Sequence, residues 1–200
     1  NNINKQLIVE EVRKMKTKIS IAVLAVIVFA AYSFTFFEYA HKAAAGKYVG
    51  VQTCVGACHK TDAQGKQLDI WQNSKHANAF KTLQTPEADK IAKDKGFTTP
   101  AAETPACLKC HVLGKDIDPT ELESTFSKED GVQCETCHGA GSEYKKLSIM
   151  KDKEKAKENG LIIHDDKAAF CTGCHNSESP TFKSFNYDEM WPKIQHSKPQ

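Results

Sequence analysis

Four short cysteine–histidine motifs constrain this chain more than any other feature of its sequence. They read CVGACH from Cys54 to His59, CLKCH from Cys107 to His111, CETCH from Cys134 to His138 and CTGCH from Cys171 to His175. Together they contain all 8 cysteines and half of the 8 histidines. Because only 8 of the 200 residues are histidine, four such coincidences do not arise from composition.

The spacing within these motifs is that of covalent haem attachment. Two cysteines three positions apart lie on one face of a helical turn, where both thiols can form thioethers with one porphyrin. The histidine that follows supplies an imidazole to the iron. We therefore predict four covalently attached haem c groups. The attachment residues are Cys54, Cys58, Cys107, Cys110, Cys134, Cys137, Cys171 and Cys174, and the proximal iron ligands are His59, His111, His138 and His175.

The first motif has one residue more than the other three between its cysteines. Gly56 lies inside this insertion and is expected to let the backbone bulge there, because glycine tolerates unusual dihedral angles. Other uses of paired cysteines are a four-cysteine zinc site, a thioredoxin-type redox pair and a disulfide framework. Each leaves the four adjacent histidines unexplained, so haem is favoured at all four motifs.

The N-terminal part has the pattern of an export leader. Residues 19–37 are uncharged, follow Lys16 and Lys18, and precede an A-x-A cleavage pattern at residues 43–45. The run of 19 residues is also near the ~20 needed to span a bilayer, so residues 15–45 are either a signal peptide or an uncleaved anchor. Both interpretations predict a periplasmic or extracellular domain, because the positive flank stays in the cytoplasm.

Residues 1–14 do not resemble an export signal, and two interpretations remain open. They are either a non-native segment, with translation beginning at Met15, or a charged cytoplasmic leader. Codons for residues 10–14 can contain a ribosome-binding sequence just ahead of Met15. The nucleotide sequence of the gene distinguishes the two.

Residues 46–200 are expected to form one tetrahaem domain. Porphyrins must supply much of its core, because the segment is poor in Leu, Ile and Val. Helices are predicted over residues 70–83, from Pro86 to Gly96, over residues 145–158 and over residues 188–195. Strand signals are nearly absent, so the predicted fold is mainly α, with helices and long loops wrapped around haems.

Charge argues against a nucleic-acid partner. Residues 46–200 contain 21 Lys, no Arg and 22 Asp plus Glu, a net charge of −1 to which haem propionates would add negative charge. The lysines between residues 145 and 157 alternate with acidic residues, which is typical of a solvated helix face.

Four histidines lie outside the motifs: His41, His76, His164 and His196. In a small domain crowded with iron they are candidates for the second axial position. The segments KYVGVQTC, WQNSKHANAFKTL, ACLKCHVLG, GVQCETCHGAG and FNYDEMWPKIQH, in this order, resemble the tetrahaem cytochrome c-554 family. The resemblance implies a helical fold with haems stacked in close pairs that pass electrons. It also implies His76 as distal ligand of the third-motif haem, His196 as that of the fourth, and a second haem without one.

One feature departs from the family pattern. The family's distal histidine of the first haem comes from the loop after the third motif, but residues 139–150 here contain no histidine. The candidates for the distal ligand of the first haem are His164, Met150, His41 if the leader is not cleaved, or a histidine of another subunit.

The sequence favours an electron-transfer protein that relays electrons through four haems, and it allows a polymeric wire. No additional catalytic constellation is found, so an enzyme is not expected. The alternative is a haem enzyme that reduces or oxidises a small nitrogen compound at a five-coordinate haem. The expected partners are redox proteins and copies of the chain itself in an oligomer or filament. No nucleic acid is expected, and a membrane only through an uncleaved N-terminal segment.

Overall fold

The computed structural model describes residues 46–56 and 59–196. Within these residues the chain forms short helices joined by loops, and its one β pairing is an isolated parallel bridge between Tyr48 and Leu122. The α-helices are α1 (Val51–Val55), α2 (Gln67–Gln72), α3 (Ala79–Leu83), α4 (Pro86–Asp94), α5 (Pro105–Leu108), α6 (Cys134–His138), α7 (Leu147–Met150), α8 (Lys153–Glu158), α9 (Lys167–Thr172) and α10 (Tyr187–Met190). The predicted mainly α fold is confirmed.

Tighter and wider helical turns fill several of the gaps. The 3₁₀-helices are Asp62–Gln64, His76–Asn78, Ala101–Glu103, Pro119–Glu121, Lys128–Asp130 and Trp191–Lys193, and a π-helix spans Lys109–Leu113. No described helix combines the length and apolar character needed to cross a membrane. The predictions for residues 1–14, residues 15–45 and His41 lie outside the described residues.

The helix that begins at Pro86 has the ends predicted from the sequence. Thr85 caps it by accepting a hydrogen bond from the Ala88 N–H at 3.2 Å, and Pro86 occupies its first turn. The helix ends at Asp94, and Gly96 donates its N–H to the Lys93 carbonyl. Local signals at both ends therefore determined this element.

The predicted continuous helix over residues 70–83 is wrong. The chain leaves the helix after Gln72, makes the turn His76–Asn78 and begins a new helix at Ala79. Ser74 explains the break, because its hydroxyl donates to the Trp71 carbonyl at 2.7 Å and accepts from the His76 N–H at 3.2 Å. Such side-chain bonds compete with the helical ladder. His76 consequently lies on a 3₁₀ turn rather than on a long helix.

The two other helix predictions are correct in place but not in continuity. The charged segment over residues 145–158 divides into α7 and α8, because the Asp152 carboxylate caps α8 through the N–H groups of Glu154 and Lys155. Its lysines are exposed, as expected of a solvated face. The C-terminal helix begins at Tyr187 and tightens to a 3₁₀ turn at Trp191.

A compact apolar cluster lies behind the second motif. Its buried members are Phe80, Leu83, Ala92, Ala101, Val112 and Leu113. Helices α3 and α4 supply three of them, while Val112 and Leu113 directly follow His111. The cluster therefore fixes the backbone of the second motif from the protein side.

Candidate haem sites

The first motif begins on α1 and leaves it before its histidine. Cys54 lies in the helix, which ends at Val55, and Gly56 adopts φ 42°. This left-handed dihedral agrees with the backbone change expected at the inserted residue. Cys58 is outside the described residues, and His59 follows with its N–H donating to the Val55 carbonyl at 3.3 Å.

The other three motifs are helical, which brings the two cysteines of each motif onto one face of a turn. In the second motif, Cys107 lies on α5, and Cys110 and His111 lie on the π-helix that follows it directly. The third motif is α6 itself, from Cys134 to His138. In the fourth, Cys171 lies on α9, and the His175 N–H donates to the Cys171 carbonyl at 3.0 Å, which extends the helical turn to the histidine.

Several thiols of the described residues have a raised pKa, and none forms a disulfide. All seven described cysteines are free of disulfides. Burial raises the pKa of Cys134 and Cys137 to about 11 and that of Cys174 to about 12, whereas a thioredoxin-type pair requires a lowered pKa. Between residues 59 and 196, and in residues 46–56, no three His, Cys, Asp or Glu side chains cluster as a zinc site would require.

The third motif lies next to each of the others. The N–H groups of Val49 and Gly50, just before α1, donate to the Glu135 carboxylate at 2.7–3.0 Å. The Thr136 hydroxyl donates to the carbonyl of Val112, just after the second motif, at 2.7 Å. The fourth motif adjoins it through the neighbouring thiols described next.

In four pairs of thiols from different motifs, one thiol adds to a pKa that burial already raises in the other. The pairs are Cys54 with Cys134, Cys137 with Cys171, Cys137 with Cys174, and Cys110 with Cys174. The first motif therefore adjoins the third, the third adjoins the fourth, and the fourth adjoins the second. The spatial order differs from the order along the chain.

Two of the histidines outside the motifs face motif histidines. The rings of His76 and His175 have centroids 6.1 Å apart, and those of His138 and His196 are 5.9 Å apart. Two imidazoles that bind one metal from opposite sides through bonds of about 2 Å have ring centres about 6 Å apart. The separations of the ring centres thus match those of two imidazoles on one iron. The pairing is opposite to the one implied by the resemblance, which assigned His76 to the third motif and His196 to the fourth.

The protonation state of these rings also suits iron. Burial lowers the pKa of His76, His138 and His175, which keeps the imidazoles neutral. A carbonyl oxygen near Nδ1 fixes the tautomer. The oxygen can only accept a hydrogen bond, so Nδ1 must carry the hydrogen. His138 has the Ile162 carbonyl at 3.1 Å and His111 has the Ala79 carbonyl at 2.8 Å, which leaves Nε2 of both rings free for a metal.

His164 lies beside the third motif. Its Nε2 is 2.9 Å from the carbonyl oxygen of Cys137, and its ring stacks on Phe170 with centroids 3.8 Å apart. These contacts hold the ring in place but occupy Nε2. Within the described residues, neither His59 nor His111 has a second histidine ring against it. The ligand prediction for His164 therefore stays a prediction.

Two features of the sites had no signal in the sequence. Glu135, inside the third motif, is 2% exposed, and its carboxylate accepts from Val49, Gly50 and Gly141. Burial raises the pKa of Glu135, while these N–H donors oppose the shift. The second such feature is Thr82, whose hydroxyl oxygen lies 3.2 Å from Nδ1 of His111. Both depend on contacts between segments distant in the chain.

The comparisons with known proteins agree with this geometry. Residues 53–139 match the family model described as cytochrome c554 and c-prime. The chain is also 32% identical over 170 residues to cytochrome c-554 of Nitrosomonas europaea, an alignment that covers 76% of this chain and 68% of that protein. The chain belongs to the cytochrome c-554 family. No solved structure matches it.

Family membership establishes the class of cofactor and of function. A c-554 cytochrome is a c-type cytochrome, so haem c is covalently bound and the chain takes part in electron transfer. The predicted resemblance to this family is confirmed. The span that matches the family model, residues 53–139, includes the first three motifs.

Proposed function

We propose that the chain is an electron-transfer protein that carries four haem c groups outside the cytoplasmic membrane. The ring pairs carry this proposal: His76 with His175 and His138 with His196 are spaced to bind iron from both sides. Haem iron alternates between ferric and ferrous states, and two strong imidazole ligands leave no open position for substrate. The residues of these sites thus favour a relay over a catalyst.

The arrangement of the motifs supports a branched relay centred on the third. The first motif adjoins the third through Glu135 and the Cys54–Cys134 neighbours. The second and fourth motifs adjoin each other through Cys110 and Cys174. We infer that electrons pass between the first and third motifs, and between the third motif and both the second and the fourth.

Haem content is tested by mass and absorbance. The intact protein should exceed its polypeptide mass by four haems, and the pyridine haemochrome should have the c-type spectrum. A gain of three haems would overturn the count and point to the stretched Cys54–His59 motif.

The ligand pairs are tested by replacing one distal histidine at a time. His76→Ala and His196→Ala should each convert one haem from low to high spin and raise its potential, because an imidazole donor is lost. Magnetic resonance of the haem methyl groups should assign the change to the fourth-motif haem for His76 and to the third for His196. The opposite assignment would restore the pairing implied by the resemblance. His164→Ala should leave the third- and fourth-motif haems low spin, because Nε2 of His164 lies against the Cys137 carbonyl.

A second candidate function is ligand chemistry at an open iron. It is favoured by one observation: His59 and His111 have no second histidine ring against them within the described part of the chain. Such a site would bind a small nitrogen compound and reduce or oxidise it. Spectra with and without NO or CO decide between the two, because a six-coordinate relay leaves them unchanged.

Location and partners follow from the leader and from the haems. Attachment of haem c outside the cytoplasmic membrane agrees with the apolar, positively flanked segment of residues 15–45. Redox proteins are the proposed partners, and copies of this chain become partners if a histidine crosses between subunits. Haem-loaded protein recovered from the cytosol would contradict the proposed location.

A further inference from the structure

We propose that the Thr82 hydroxyl and the Ala79 carbonyl together orient His111 and increase its electron donation to iron at the second motif. The proposal rests on the proposed haem function, because His111 needs a bound iron to act as a ligand. Thr82 is then a positioning residue, since it acts through His111. Thr82 lies outside the C-x-x-C-H motif, so the motif itself does not assign this role to Thr82.

The proton positions follow from the three distances. Nδ1 of His111 lies 2.8 Å from the Ala79 carbonyl oxygen and 3.2 Å from Oγ1 of Thr82. The carbonyl only accepts, so Nδ1 must carry the proton. The Thr82 hydroxyl uses its own proton on the Ala79 carbonyl at 2.6 Å, which leaves a lone pair of Oγ1 toward Nδ1. The His111 proton thus faces two oxygens.

Two acceptors on the outer nitrogen change the iron ligand. A partner that accepts from Nδ1–H raises the basicity of the other nitrogen, which binds the metal. A more basic imidazole stabilises the ferric state and lowers the reduction potential. His138, by comparison, has the Ile162 carbonyl at 3.1 Å from its Nδ1. Nδ1 of His111 is therefore closer to its carbonyl oxygen than Nδ1 of His138 is, and it has the Thr82 hydroxyl as a second oxygen nearby.

The segment that carries these oxygens also contacts the fourth motif. His76 begins the turn that leads directly into α3, and its ring faces His175. The Val132 N–H fixes this turn by donating to the His76 carbonyl at 3.0 Å. Residues 76–82 therefore contact two motifs. They include His76, which faces His175 of the fourth motif, and the two oxygens near Nδ1 of His111 in the second motif.

The test compares three variants of the whole haem-loaded protein. Thr82 is exposed, so Thr82→Ala should fold and bind all haems. One of the four redox transitions should move to higher potential, and the paramagnetic methyl signals of that single haem should shift. Thr82→Ser keeps the hydroxyl and should restore both measurements. Thr85→Ala is the control, because that hydroxyl bonds the Thr82 carbonyl and the Ala88 N–H.

The outcomes separate this proposal from the one on which it rests. An unchanged potential in Thr82→Ala, a shift that serine does not reverse, or an equal shift in Thr85→Ala would overturn the role of Thr82 while four haems remain in the mass. A mass with fewer haems, and no haem on the Cys107–Cys110 peptide, would instead overturn the four-haem proposal itself.

Discussion

The third and fourth haem motifs share one spacing but have opposite surroundings. In the third, Glu135 is buried and Thr136 is half-buried, and both bond to backbone groups outside their own helix. In the fourth, α9 contains no buried residue, and the exposed Thr172 bonds the Ala169 carbonyl of its own helix at 2.9 Å. The third motif is thus bonded to backbone groups distant in the chain, whereas the Thr172 bond of the fourth stays within its own helix.

The histidines of the two motifs differ in the same way. His138 has the Ile162 carbonyl at Nδ1, and its own carbonyl accepts from the Tyr144 hydroxyl at 3.1 Å. His175 is instead placed by stacking on Phe185, with ring centroids 4.6 Å apart and an interplanar angle of 10°. A motif can therefore position its imidazole by hydrogen bonds or by an aromatic neighbour.

The largest expected effect comes from removing the carboxylate that anchors the third motif. Glu135→Ala leaves the N–H groups of Val49, Gly50 and Gly141 without their acceptor. Each buried donor without a partner costs about 1–3 kcal/mol, so the free energy of unfolding should fall by about 3 kcal/mol or more. Denaturant unfolding of the haem-loaded protein measures this loss.

Glu143→Ala is the matched control for that variant. Glu143 is exposed on the neighbouring loop, and its carboxylate accepts from the adjacent Ser142 hydroxyl. Its loss should change stability by about 0.5 kcal/mol or less. Equal losses in the two variants would mean that Glu135 does not anchor the motif.

A smaller effect is expected where the approach to the third motif passes close to His76. Gly131 has φ 66°, and a Cβ there would lie 2.5 Å from the His76 carbonyl oxygen. Gly131→Ala should cost about 1–3 kcal/mol for a backbone conformation almost restricted to glycine, and more for the collision. The displaced turn should also make one haem high spin.

Gly96→Ala separates strain from collision. Gly96 has φ 86°, but nothing lies within 4 Å of its Cβ position, so it carries the backbone cost alone. Gly131→Ala should lose more unfolding free energy than Gly96→Ala, because a Cβ at residue 131 also meets the His76 carbonyl. If Gly131→Ala costs no more than Gly96→Ala and leaves the spin state unchanged, the close approach does not position His76.

The sequence predicted features that local chemistry determines. The four motifs and the helix from Pro86 follow from spacing and end signals within a few residues. The break at Ser74 was not predicted, because the spacing of apolar residues does not show whether a serine hydroxyl will bond to the backbone of its own turn. The facing of His76 and His175 was not predictable, since it depends on how segments about 100 residues apart pack.

The smallest effect tests the same contrast with one residue type in both motifs. Thr136→Val removes a hydroxyl that donates to the Val112 carbonyl at 2.7 Å and accepts from the Gln133 N–H at 3.1 Å. Because valine keeps the shape, the loss should reflect these bonds, about 1–2 kcal/mol. Thr172→Val removes a bond within an exposed helix and should cost about 0.5 kcal/mol or less. A Thr172 loss as large as that of Thr136 would show that the fourth motif is held by the chain as firmly as the third.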